Sequence, residues 1–320
     1  MDPGKNIERV AVVGAGLIGS SWAAHFLARG LDVSVTDPAP GAERGLREQI
    51  DRAWPIVTQL GLAPGASRNR LHFTPALEAA VAGADFVQEN GPEREELKVK
   101  LFAELDRLVP PDVILASSSS GLKMSAIQAG CRHPERCVIG HPFNPPHLIP
   151  LVEVVGGRST AAACLERACA FYIQVGKKPI LLHKEVTGHV ANRLQAALWR
   201  EAVHLVEQGV ISVGDVDDAV SWGPGLRWGV MGPNLIFHLG GGPGGIRHFM
   251  AHLAGPFSRW WADLGKPELT ADLQAKLIAG VETAAAGQSI AELETYRDQM
   301  IIALLAARAR AARDKPPGGG

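Results

Sequence analysis

The chain has 320 residues, 46% of them hydrophobic and 20% charged, with 32 Lys and Arg against 33 Asp and Glu for a formal net charge of −1. That length suffices for two domains with sizeable cores, and the balanced charge excludes a protein built around nucleic acid or anionic membranes. No apolar run approaches the roughly 18 residues of a membrane span, and "MDPGKNIERVAVVG" lacks the layout of a signal peptide, so a cytoplasmic location is expected.

Four cysteines make no disulfide framework. Cys131, His133 and Cys137 are close in sequence but lack a fourth ligand and the paired CxxC spacing of structural zinc, so no metal is expected.

In chain order, "RVAVVG" reads as a strand, "SSWAAHFLARG" as an amphipathic helix and "LDVSVTD" as a second strand. Further strands are expected at "ADFVQEN", "DVILASSSS", "RCVIGHPF", "PLVEVVGG" and "KPILLHK". These are apolar, β-branched runs bounded by Gly, Pro and Asp, the pattern of strands buried on both faces. Their alternation with helices predicts an α/β fold with a doubly wound, mostly parallel sheet.

No strand signal follows Lys184. "HVANRLQAALWREAVHLVEQG" places Val190, Leu194, Leu198, Ala202 and Leu205 on one helical face. Ser212 with Asp215 three residues on has the pattern of a capped helix start. "SIAELETYRDQMIIALLAARARAA" predicts a further long helix. The expected organisation is a first domain over 1–186, an all-helical second domain over 187–313, and a disordered tail over 314–320.

"AVVGAGLIGS" puts Gly14, Gly16 and Gly19 in GxGxxG register, with Leu17 and Ile18 inside the loop, between a strand and a helix. Gly14 permits the tight turn, Gly16 lets the backbone approach a pyrophosphate, and Gly19 allows close helix packing. Asp37 closes the second strand 23 residues after Gly14, where a carboxylate would hold the ribose hydroxyls. It would repel a 2′-phosphate, which favours NAD over NADP.

A dinucleotide site needs a reaction. His141 suits the task of taking a hydroxyl proton, because the ordinary histidine pKa lies near neutrality. Glu153, alone in the apolar run "PLVEVVGG", suits the task of fixing that imidazole's tautomer. Ser120 and Asn192 are candidates for holding the reacting oxygen.

The motifs "VVGAGLIGSSWA", "QENGPEREELKVKLFAELD", "ILASSSSGL", "GHPFNPP…LVEVV", "GHVANRL" and "GVMGP", in this order, resemble the L-3-hydroxyacyl-CoA dehydrogenase family over nearly the whole length. The resemblance implies a Rossmann-type domain followed by a helical, dimer-forming domain. It implies that His141 is the general acid/base, that Glu153 orients it, and that Ser120 and Asn192 contact the oxygen. It places Glu93 and Lys98 near the cofactor. The four serines 117–120 leave a one-residue register slip open.

Two departures from the family pattern stand out. Thr187-Gly188-His189 replaces Pro-Gly-Phe, so His189 is either a polar surface position or a substrate contact. Residues 41–70, where acyl-CoA members carry a lysine-rich helical hairpin, contain no lysine, which argues against the phosphates of CoA. "RAWP", "GLAPGA", "HPERC", "GLRW", "IRHFMA" and "SIAELETYRD" are similar to the free-acid branch of the family. The substrate this implies is L-carnitine, oxidised to 3-dehydrocarnitine. L-gulonate, an (S)-3-hydroxybutyryl-CoA ester, and a non-catalytic NAD-binding structural role are the rivals. A trimethylammonium group favours an aromatic cage, for which Trp199, Trp222, Trp228 and Phe237 are available. A carboxylate favours arginine, for which Arg193, Arg227 and Arg247 are available.

Overall fold

The structure is a computed structural model that describes residues 6–313; the expected tail at 314–320 lies outside them. The contacts divide the chain into two compact units, the first ending at Asn192 and the second starting at Arg193.

The first unit holds eight strands: β1 (Arg9–Val13), β2 (Asp32–Thr36), β3 (Leu71–Phe73), β4 (Phe86–Glu89), β5 (Ile114–Ser117), β6 (Cys137–Pro142), β7 (Leu151–Gly156) and β8 (Lys178–Leu181). Its helices are α1 (Leu17–Ala28), α2 (Ala42–Leu60), α3 (Leu77–Val81), α4 (Glu95–Leu108), α5 (Met124–Ile127) and α6 (Ala162–Gln174). The strands form one sheet in the order β3-β2-β1-β4-β5-β6-β7-β8. From β3 to β6 all neighbours are parallel; β7 runs antiparallel to β6, and β8 runs parallel to β7.

Side chains alternate across a strand, so a sheet covered on both faces needs apolar residues at every position. Along β1, Val10 and Val12 enter the core that contains α1 and α2, and Ala11 and Val13 enter the core that contains α4 and α5. β3 has no counterpart among the expected strands, because three residues are too few to show a pattern.

The expected amphipathic character of α1 is not found: Gly19 to Ala28 are all buried. Its polar residues have internal partners instead. Ser20 Oγ donates to the Ala15 carbonyl, His25 Nε2 lies 2.8 Å from the Val175 carbonyl, and Ser21 Oγ is 2.8 Å from His147 Nδ1.

The reversal between β6 and β7 is the proline-rich turn at 143–150. Leu148 and Ile149 N–H donate to the Pro145 carbonyl. Buried Lys177 donates from Nζ to the Pro146 and Ile149 carbonyls. The turn fixes an antiparallel register in which His141 is the direct partner of Glu153.

Among the described residues the second unit is helical throughout. It comprises α7 (Ala191–Glu207), whose first two residues belong to the first unit, then α8 (Val213–Ser221), α9 (Pro224–Trp228), α10 (Pro233–Gly240), α11 (Gly245–Asp263), α12 (Ala271–Ala285) and α13 (Ile290–Arg313). Ser212 Oγ accepts from Asp215 N–H at 3.1 Å, the expected cap of α8. The apolar face foreseen along α7 is not buried: Leu194 is 63% exposed, and the buried residues are Val203 and Val206.

Candidate active site

In an open α/β sheet, ligands bind beyond the carboxyl ends of the strands, at the point where strand order reverses. Here that point lies between β1 and β4. The glycine loop follows β1, Asp37 follows β2, Asn90 and Glu93 follow β4, and Ser118 to Ser120 follow β5.

Gly14 has φ +96°, and a Cβ there would lie 2.8 Å from the Asn90 carbonyl oxygen. A Cβ at Gly19 would fall 1.8 Å from the Gly14 carbonyl oxygen. At Gly16, by contrast, a Cβ would meet nothing within 4 Å. Two glycines are therefore required by the protein's own packing, and the third leaves the approach to the α1 N-terminus open. This is the shape a pyrophosphate needs. Asp37 Oδ2 accepts from Ala15 N–H at 2.8 Å and Oδ1 from Ala39 N–H at 2.9 Å, which anchors the carboxylate beside the loop. The residues present fit NAD.

The four serines resolve into different surroundings. Ser117 Oγ donates to Glu89 Oε2 at 2.5 Å, Ser118 Oγ to Asn90 Oδ1 at 2.7 Å, and Ser119 Oγ to Glu93 Oε1 at 2.6 Å. Ser120 is the exposed one of the four. Glu93 Oε1 also accepts from the N–H groups of Ser120 at 3.0 Å and Gly121 at 2.9 Å. Burial works to raise the Glu93 carboxyl; the Ser119 hydroxyl, the Gly121 N–H and the Lys98 charge outweigh it and hold it below the usual range. Lys98 is 1% exposed and donates from Nζ to both Glu89 oxygens and to the Gly91 carbonyl. Both residues thus shape the loops that follow β4 and β5.

His141 Nδ1 lies 2.9 Å from Glu153 Oε2. The other carboxylate oxygen, Oε1, accepts from Val190 N–H at 2.8 Å and Ala191 N–H at 2.9 Å. Burial would raise the Glu153 carboxyl, but the His141 bond and the two N–H bonds prevail and keep it low. An ionised Glu153 requires the proton on His141 Nδ1, which leaves the Nε2 lone pair as the basic site. Asn192 Nδ2 donates to the Ser120 carbonyl at 3.3 Å, so the serine loop and the start of α7 are joined.

His189 is not a surface residue. It is 2% exposed, its Nε2 is 3.0 Å from the Ser119 carbonyl, and its ring centroid is 5.1 Å from that of His141. Residues 187–192 lie in the first compact unit.

The substrate candidates of the second unit occupy separate elements: Trp199 on α7, Trp222 at the end of α8, Arg227 and Trp228 on α9, and Phe237 on α10. Trp222 is 77% exposed, and Arg193 and Arg227 are exposed as well. Phe237 instead stacks on Phe249 at 4.8 Å inside the unit. The Cys131–Cys137 segment is organised around a buried ion pair, Arg136 with Asp106 at 2.7 Å, and His133 Nδ1 faces Glu135 at 3.4 Å.

Sequence reasoning missed three contributors: Glu89, the serine-capping bonds of Glu93, and the N–H groups of Val190 and Ala191. A carboxylate at the end of the strand run "ADFVQEN" is a usable signal for Glu89. Backbone donors carry no sequence signal.

A glycine loop shaped for a phosphate and an imidazole held by a carboxylate, on one sheet, are the equipment of a nicotinamide-dependent dehydrogenase. Residues 9–186 match the NAD binding domain of 3-hydroxyacyl-CoA dehydrogenase and residues 188–270 its C-terminal domain. The chain belongs to the 3-hydroxyacyl-CoA dehydrogenase family and is an NAD-dependent oxidoreductase. It is 52% identical to the L-carnitine dehydrogenase of Streptomyces coelicolor over 306 residues, 96% of each chain. The L-carnitine dehydrogenase of Pseudomonas aeruginosa is 48% identical over 94% of each chain. Among solved structures, an NAD-dependent 5-formyl-3-hydroxy-2-methylpyridine 4-carboxylic acid 5-dehydrogenase aligns with TM-score 0.81 and 33% identity, covering 95% of this chain and 99% of that one. Escherichia coli 3-hydroxybutyryl-CoA dehydrogenase aligns with TM-score 0.64 and 30% identity over 86% of this chain and 57% of that one.

Proposed function

We propose that this enzyme oxidises the 3-hydroxyl of L-carnitine to 3-dehydrocarnitine. Bound NAD supplies the acceptor for the hydride. His141 Nε2 takes the hydroxyl proton, and Glu153 compensates the imidazolium that forms. Ser120 and Asn192 hold the oxygen as it becomes a carbonyl. The loop Gly14–Gly19, with Leu17 and Ile18 at the helix start, and Asp37 bind the dinucleotide, while Glu93 and Lys98 shape its nicotinamide end. In the reverse direction the same imidazolium returns its proton.

The observation that carries this reading is the bonding of Glu153: one oxygen on His141 Nδ1, the other filled by two N–H groups. That arrangement sets one tautomer and leaves one basic nitrogen.

Ionic pairing at 41–70 supports a free acid over a CoA ester. Arg47 pairs with Glu43 at 2.8 Å, Arg44 with Glu48 at 3.9 Å, Arg70 with Asp32 at 3.0 Å, and Arg68 with Asp51. Four of the five arginines of this lysine-free region already face carboxylates and offer little to several phosphates. Trp199, Trp222 and Trp228 are the candidates for the trimethylammonium group, and Arg193 and Arg227 for the carboxylate.

A homodimer through the helical unit is part of the proposal. Leu194, Leu198 and Trp199 on α7 and Tyr296 and Met300 on α13 are exposed, and large apolar side chains left to solvent in such number favour an interface. A cytoplasmic location accords with four free thiols, and no helix among the described residues is long and apolar enough to cross a membrane.

The test is NADH formation by the purified protein with L-carnitine, L-gulonate, (S)-3-hydroxybutyrate and (S)-3-hydroxybutyryl-CoA. L-carnitine should give the highest kcat/KM. Turnover of the CoA ester without turnover of L-carnitine would move the enzyme to the acyl-CoA branch.

A further inference from the structure

Three segments meet at His189. The residue has φ 49°, in the left-handed region that non-glycine residues rarely adopt. Its own side chain bonds the Ser119 carbonyl through Nε2. The next two N–H groups, of Val190 and Ala191, bond Glu153. Its ring lies against His141 at an interplanar angle of 43°.

A carbonyl can only accept, so Nε2 carries the hydrogen and Nδ1 of the neutral ring keeps a lone pair. Nδ1 is buried and has no hydrogen-bond partner. A ring needed only to fill space would be cheaper without that unpaired nitrogen. A strained backbone and an orphaned polar atom at one residue beside a reacting group point to function rather than packing. Burial pushes the His189 imidazole below its ordinary range, with the Ser119 carbonyl opposing and His141 adding to the push; the neutral donor form is the one present.

We propose that His189 is a positioning residue: through its bond to the Ser119 carbonyl it holds the serine loop, and hence Ser120, at a fixed distance from His141, while its left-handed backbone aims two N–H groups at Glu153. Misplacing one side of an acid–base site by about 1 Å can cost on the order of a hundredfold in rate. This inference rests on the reading of His141 as the acid–base group.

The experiment compares His189→Phe, which keeps a ring and loses the donor, with His189→Gln, which keeps an N–H donor on a flexible chain. Each is assayed for kcat and KM with L-carnitine, for NADH affinity by fluorescence, and for thermal midpoint. For His189→Phe, kcat should fall between about tenfold and a hundredfold, with KM changed less than about threefold and NADH affinity unchanged. His189→Gln should recover at least about tenfold of a full hundredfold loss. A Phe variant with more than half the wild-type kcat overturns the proposal, as does a Gln variant no faster than the Phe variant. Should the Phe variant not fold, the Gln variant decides: folded and within about tenfold of wild type it supports the proposal, and folded but slower it overturns it. His141→Gln serves as the reference. Near-wild-type activity in that variant would sink the acid–base reading itself, whatever His189 does. If wild type prefers another 3-hydroxy acid, the same comparison is made on that substrate.

Discussion

Replacing Glu153 by glutamine changes one atom's chemistry and no volume, and its consequence follows from counting donors. Three hydrogens converge on the native carboxylate: His141 Nδ1–H on Oε2, and the N–H groups of Val190 and Ala191 on Oε1. Glutamine offers one acceptor oxygen and one donating NH2. If the NH2 faces the two backbone donors, two part-buried N–H groups lose their partner, at about 1–3 kcal/mol each. If the oxygen faces them, all three positions stay bonded provided His141 shifts its proton to Nε2. The second arrangement is favoured by roughly 2–6 kcal/mol and inactivates the base, because Nε2 then has no lone pair for the substrate hydroxyl. A wrong tautomer of this kind costs about 10⁴ in kcat, or about 5 kcal/mol of transition-state stabilisation. Stability should change little, since only charge-assisted bonds become neutral ones, at roughly 1–2 kcal/mol. Initial rates of NADH formation and thermal midpoints of the two proteins test this together. Activity within tenfold of wild type, or activity and thermal midpoint falling together, would refute the reasoning.

The glycine loop gives a paired prediction: Gly16→Ala should fold with an unchanged thermal midpoint and lose NADH affinity in a fluorescence titration, whereas Gly19→Ala, whose Cβ would lie 1.8 Å from the Gly14 carbonyl, should lose both. Lys177 is pushed down to about 7, chiefly by burial, with Arg29 adding to it. An unfolded lysine stays charged up to about pH 10.4, so between these values the unfolded chain binds the extra proton and stability must rise with pH. Urea denaturation from about pH 7 to 10 should show that rise in wild type and a flatter profile in Lys177→Met. Arg136→Leu strands Asp106 as a buried charge and should cost about 3–5 kcal/mol in the same assay, while the charge-matched Arg136→Lys should recover part of it.

The sequence by itself carried the parts of this protein that are local. Strand-length apolar runs showed the sheet, the glycine spacing showed the phosphate loop, and a lone carboxylate in "PLVEVVGG" showed that Glu153 needed a partner. These signals survive in one dimension because each is a short-range demand of backbone geometry or of burial. What pairs with what was decided only in three dimensions. The reversal of β7 puts Glu153 directly opposite His141, and no periodicity announces a strand that runs against the one before it. The three-residue β3 and the all-round burial of α1 were invisible for a related reason: each depends on what lies across the sheet rather than on its own residues. His189 is the sharpest case. Its type and position suggested a surface residue or a substrate contact, and the fold took it off the surface, because a left-handed turn folded the ring inward against Ser119 and His141. Backbone N–H groups belong to every residue but proline, so the two that complete Glu153 could be found only once the chain had brought them there.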